Sequence, residues 1–139
     1  MSITYTIISF IVALGVLITF HEFGHYLVAR WNNVKVLRFC IGFGQPIFRK
    51  RWGKDQTEWV IAAIPLGGYV KMLDENEGKV SPEEASRSFN RQSVGRRFAI
   101  VAAGPIANFL LAIVLYWWLF ILGVQGMKHV LGPVEPGSA

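Results

Sequence analysis

Two long runs without a single charged side chain, residues 3–20 and 98–124, constrain this chain more than any other feature of its sequence. As a helix rising 1.5 Å per residue the first reaches about 27 Å, close to the thickness of a bilayer's hydrocarbon core, and continuing it to Arg30 makes it longer than that core. A chain of 139 residues with 53 % hydrophobic residues, five Trp and one Cys fits a membrane-embedded protein better than a soluble domain. A signal peptide is the competing reading of the first run. No basic segment precedes it and no small-x-small cleavage site follows, so it reads as a retained transmembrane helix. The second run ends in Tyr116, Trp117, Trp118 and Phe120, an aromatic cluster suited to a lipid interface.

From Arg30 to Arg97, between the runs, lie 13 of the 14 Lys and Arg and seven of the nine acids. By the positive-inside rule this loop is cytoplasmic and both ends of the chain are outside. The basic charges are scattered and flank two spans, so nucleic-acid binding is excluded as a reading. The single Cys40 excludes an internal disulfide, and with no Cys-x-x-Cys around it reads as a small buried residue.

The polar residues His21, Glu22 and His25 interrupt the apolar pattern as H-E-x-x-H. Ionisable groups placed in such a segment are costly unless paired or functional. Positions four apart on a helix lie within about 40° of each other, so His21 and His25 can present two imidazoles to one metal ion, with zinc expected. Glu22 is turned about 100° from His21, in reach of a water at the metal without being a ligand, which is a general base's place.

The loop has short β-type runs at 36–41, 46–52, 57–63 and 68–72, broken by Gly42-Phe43-Gly44, Gly53-Lys54-Asp55 and Pro65-Leu66-Gly67. They predict a small four-stranded sheet. A free edge of that sheet can pair with an extended peptide, or the hairpins can be purely structural. Gly42, Gly44, Gly67 and Gly68 are turn residues or points of close substrate approach, and Tyr69 is a substrate contact or an interface anchor. Ser81, Pro82 and Glu84 carry a helix-start signature, predicting a short surface helix to Phe89. Within the second run Gly104, Pro105 and Asn108 put a small residue and an amide on one helix face. Asn108 is interhelical glue or, as preferred here, a group near the site able to hold a substrate carbonyl.

The order of elements expected is therefore a first transmembrane helix over 1–30, a sheet over 31–73, a surface helix and linker over 74–97, a second transmembrane helix over 98–124 and a tail over 125–139. Four motifs along it, H-E-F-G-H at 21–25, I-G-F-G at 41–44, I-P-L-G-G-Y-V-K-M at 64–72 and A-A-G-P-I-A-N-F at 102–109, resemble the N-terminal part of the site-2 protease family of intramembrane zinc metalloproteases. The resemblance implies that the sheet is membrane-reentrant and lines the active-site entrance, and that Gly42, Phe43, Gly44, Gly67, Gly68, Tyr69 and Asn108 serve substrate binding. It implies cleavage, in a bacterial inner membrane, of a single-pass transmembrane substrate such as an anti-sigma factor or a remnant signal peptide. The family's third zinc ligand, an Asp in an L-D-G motif, has no counterpart here, and 125–139 is similar to the start of a truncated periplasmic PDZ domain. The 139 residues alone are thus expected to be an inactive piece of a multi-pass protease. A membrane scaffold without zinc and an unrelated membrane-anchored zincin are the alternatives.

Overall fold

The computed structural model describes residues 2–123, so the expected PDZ segment at 125–139 lies outside the described residues. The chain runs α1 (Ile3–Trp31), β1 (Val36–Trp52), β2 (Thr57–Met72), a single 3-10 turn (Ala85–Arg87) and α2 (Val94–Leu122). Both α helices are long and apolar enough to cross a membrane. Their outward side chains form a continuous apolar surface that includes Ile3, Phe10, Phe98, Phe109 and Phe120. A surface of that extent suits hydrocarbon rather than water. The second helix starts four residues before the predicted span, taking Gly95, Arg96 and Arg97 into its first turns.

The helices meet where their side chains are small. A Cβ on Gly24 would collide with the Ala103 carbonyl oxygen and lie 2.8 Å from the Ala107 Cβ. Ala103 and Ala107, one turn apart, thus make the groove that Gly24 fills, the small-residue packing expected of helices in lipid. Below this contact a core of Ala29, Val34, Val36 and Ile100 joins both helices to the sheet, with Tyr26, Val70, Met72 and Phe89 packed around it.

The four predicted strands are two by continuity. β1 and β2 pair antiparallel, and neither is interrupted at the glycine motifs. The register nevertheless shows four paired stretches. Arg38 to Ile41 face Lys71 to Gly68 on one side and Glu58 to Ile61 on the other, while 46–52 pairs only with 57–62. Gly42 and Gly44 have φ of 91° and 87°, so the backbone doubles back without leaving extended geometry over most of its length. The breaks predicted at 42–44 and 65–67 therefore act as folds within strands, whereas Gly53-Lys54-Asp55 ends one as expected.

The predicted surface helix over 81–89 is reduced to the 3-10 turn, which has no side-chain cap. Glu84 does not close a capping box because its carboxylate pairs with Lys35 instead. Main-chain bonds hold this segment across the sheet: Lys35 N donates to Arg87 O, Leu73 N to Lys35 O, and Phe89 N to Leu73 O at 2.7 Å. The result carries Phe89 back toward the helix pair.

Candidate active site

His21 and His25 fall on the face of α1 that meets α2. Their Nε2 atoms lie 3.2 Å apart, and the rings stand edge to face with centroids 4.8 Å apart. Two imidazole nitrogens bound tetrahedrally at zinc distances would be about 3.3 Å apart, so this pair is spaced as two ligands of one ion. The space for the pair exists because residue 104 has no side chain. A Cβ there would collide with His25 Nε2 and stand 2.7 Å from His21 Nε2.

The far side of each ring is also met by α2. His25 Nδ1 is 2.7 Å from the Ile100 carbonyl oxygen, which can only accept, so Nδ1 carries the proton and the Nε2 lone pair is left for a ligand's role. His21 Nδ1 is 3.5 Å from the Asn108 amide. Among the described residues no third His, Cys, Asp or Glu joins the two imidazoles. The donors present thus fit part of a catalytic zinc site, two of its usual three protein ligands.

Neither of the chain's two aspartates completes the set. Asp55 is bound by Arg30 at 2.6 Å and by Arg87 at 2.8 Å. Asp74 lies nearer, on the wall of a cavity, but accepts from the Asn76 N–H as part of its own turn.

That cavity, of about 400 Å³, opens beside the imidazoles and is lined by Glu22, His25, Tyr69, Val70, Lys71, Met72, Asp74, Glu77, Phe89, Ile100 and Val101. Its long wall is the 69–72 stretch of β2. Gly68 begins that wall directly against Glu22: a Cβ there would lie 3.0 Å from the Glu22 Cγ and 2.8 Å from the Cys40 carbonyl oxygen. The 68–72 stretch pairs with β1 on one side only, leaving its other edge unpaired among the described residues. Tyr69 is steadied by Arg38 Nη1, which donates to its hydroxyl at 3.1 Å.

Of the residues predicted to serve the site, the structure gathers His21, Glu22, His25, Gly68, Tyr69 and Asn108. Gly42, Phe43, Gly44 and Gly67 do not line the cavity; Phe43 packs its ring over Gly67, and Gly42 sits 2.8 Å, by its missing Cβ, from the Ile64 carbonyl oxygen. Sequence reasoning missed the Ile100 carbonyl, Val101 and Phe89. Pro105 is a signal for Val101 alone, since its missing N–H is the one that would bond the Val101 carbonyl four residues earlier. Phe89 has no local signal, because only the fold of the loop brings it there.

The profile of peptidase family M50 matches residues 9–135. A regulator of sigma-E protease RseP from Salmonella typhimurium is 55 % identical over 140 residues, covering 99 % of this chain and 30 % of its own length. That of Escherichia coli K12 is 56 % identical over 138 residues with the same coverage. A Xylella fastidiosa protein, named provisionally as a zinc metalloprotease, is 58 % identical over 125 residues, 90 % of this chain and 28 % of its own. The chain therefore spans under a third of the length of these curated relatives. Two imidazoles spaced for one ion and matches across nearly the whole sequence lead to one assignment: this chain belongs to peptidase family M50.

Proposed function

We propose that the full-length protein is a zinc-dependent endopeptidase that cleaves a peptide bond within a single transmembrane segment of its substrate, and that these residues carry its metal-binding helix and substrate edge. The observation that carries the reading is the His21–His25 pair, 3.2 Å between Nε2 atoms, standing beside Glu22 at the end of an unpaired strand edge. Relatives named as RseP and as a zinc metalloprotease support the reaction class.

His21 and His25 would hold the ion, with a third ligand supplied from beyond these residues. Zinc, when bound, contributes Lewis acidity that favours ionisation of water and polarises the scissile carbonyl. Glu22 takes the proton of the attacking water and delivers it to the leaving amine. The 68–72 edge receives the substrate backbone as an added strand, since main-chain bonds hold an extended peptide without reading its sequence. A helical segment must unwind to use that edge, and the cavity beside it gives the freed side chains a place.

In this reading the chain lies in a bacterial inner membrane with the 31–97 loop cytoplasmic, followed outside by a PDZ domain, and the substrate is an anti-sigma factor or a remnant signal peptide. The 139 residues by themselves are inactive, for want of the third ligand. With Cys40 replaced, a cysteine at Lys54 is expected to resist a membrane-impermeant thiol reagent in intact cells; rapid labelling there would reverse the orientation. The metal assignment is tested by His25→Ala in the full-length protein, which should lose both zinc and cleavage of a single-span substrate. Full cleavage by a zinc-free protein would mean another chemistry, and a wild-type protein that neither holds zinc nor cleaves would leave the scaffold as the answer.

A further inference from the structure

Three positions of α2 spaced four apart, Ile100, Gly104 and Asn108, face the two imidazoles in reverse order along α1. The Ile100 carbonyl meets His25 Nδ1 at 2.7 Å, Gly104 leaves the space for both Nε2 atoms, and the Asn108 amide meets His21 Nδ1 at 3.5 Å. Residues at that spacing form one stripe on a helix, so the same stripe buttresses both rings.

We propose that Asn108 is a positioning residue for His21, accepting a hydrogen bond from its Nδ1–H through Oδ1 and so keeping the Nε2 lone pair directed at the metal position. The inference rests on the metal site proposed above. A neutral imidazole has one N–H, and His21 can present a lone pair at Nε2 only if Nδ1 is protonated and therefore in need of an acceptor. The Asn108 amide is the group at that nitrogen. With Nδ2 toward the ring, Oδ1 is buried without a partner and the ring is left in the tautomer that cannot bind an ion through Nε2. A half-turn of the amide brings Oδ1 to Nδ1 and sets His21 in the state that Ile100 already sets for His25.

The same observations separate this role from that of a substrate donor. The Asn108 Nδ2 is already at the His21 ring and Asn108 does not line the cavity beside Glu22, so its amide is placed to serve the ring rather than a scissile carbonyl.

The two roles part under Asn108→Asp, which keeps an acceptor and removes the donor, and Asn108→Leu, which removes both. In purified full-length protein, zinc retention is measured against a graded series of chelator concentrations. Asn108→Leu should hold zinc about 10- to 100-fold more weakly, the usual effect of removing a group that orients a metal-ligating His, and Asn108→Asp should stay near wild type. Should the Leu variant fail to fold, Asn108→Ala gives the same comparison without the larger side chain. Wild-type retention in Leu or Ala overturns the proposal, as does an Asp variant that loses zinc as readily as they do. A substrate donor would instead show unchanged zinc retention and a lower turnover in all three. Wild-type protein that never holds zinc would overturn the metal reading itself, a result distinct from any difference among the variants.

Discussion

Two sites along the C-terminal third of α1 treat carboxylates in opposite ways. At the C-terminal end of α1 Asp55, at the tip of the β hairpin, is bound by Arg30 and Arg87 and is almost wholly buried between them, its side chain 5 % exposed. Glu58, in the same sheet, is similarly held by Arg38 at 2.6 Å and Arg49 at 3.2 Å. Two turns of helix away Glu22 faces two imidazoles, a glycine backbone and an open cavity, and none of the ion pairs among the described residues includes it. A carboxylate saturated by guanidinium groups holds structure together but has no lone pair to offer a passing proton. Glu22 is left able to exchange one. The difference teaches that function here is marked by an absent partner, not by the presence of charge.

The comparison breaks first at Glu22. Glu22→Gln in the full-length protein should retain zinc and fold but lose about 10²- to 10⁴-fold in chemistry-limited turnover, because an amide does not accept the water's proton. Zinc by elemental analysis and single-turnover cleavage decide it. Loss below tenfold means Glu22 is not the base, and loss of zinc alongside activity makes it a ligand or a structural partner.

A methyl group is expected to be nearly as damaging at Gly104. Gly104→Ala puts a carbon where both imidazole Nε2 atoms sit, so the rings must part or the helices must. Zinc content should drop severely while the sheet and its arginine pairs persist. Gly24→Ala acts on the same contact from α1, against Ala103 and Ala107, and overpacking of this kind typically costs about 1 to 3 kcal/mol. Normal zinc content in Gly104→Ala would show that the pair is not held by this helix contact.

What could be read beforehand follows the range of the forces involved. The two long apolar helices and the His21–His25 pair come from local patterns, and both emerge where expected because hydrophobicity and helical spacing act within a few turns. Gly42, Phe43 and Gly44 were legible as a break in extended structure but not as a fold within a continuous strand. That outcome depends on β1 finding partners on both sides. Ser81 and Glu84 spell a capping box, yet a long-range pair with Lys35 removes Glu84 from it. The Ile100 carbonyl was invisible in principle, since every residue has one and only the helix crossing makes this one matter.

The smallest effect belongs to Asp55, and its pH dependence separates it from Glu22 most clearly. The hydrogen bonds from Arg87 hold its carboxyl below the usual carboxylate range, against the opposing effect of burial, with the charges of Arg87, Arg30 and Lys35 adding to the lowering. A folded-state value lowered in this way means that the unfolded chain takes up the proton first as pH falls. The stabilisation is therefore complete above the unfolded value, about 3.9, and is lost as pH drops through the lower folded one. Asp55→Asn should cost about 1.5 to 3 kcal/mol at neutral pH, the range for hydrogen bonds to charged groups, and leave zinc content unchanged. Thermal unfolding of the two proteins in the same detergent should converge as pH is taken from about 5 to below the folded value, because protonated Asp55 then resembles the amide. Parallel curves across that range would show that Asp55 carries no such stabilisation. A loss of turnover approaching that of Glu22→Gln, with stability unchanged, would mean the hairpin carboxylate belongs to the chemistry and that the contrast between the two carboxylates is misdrawn.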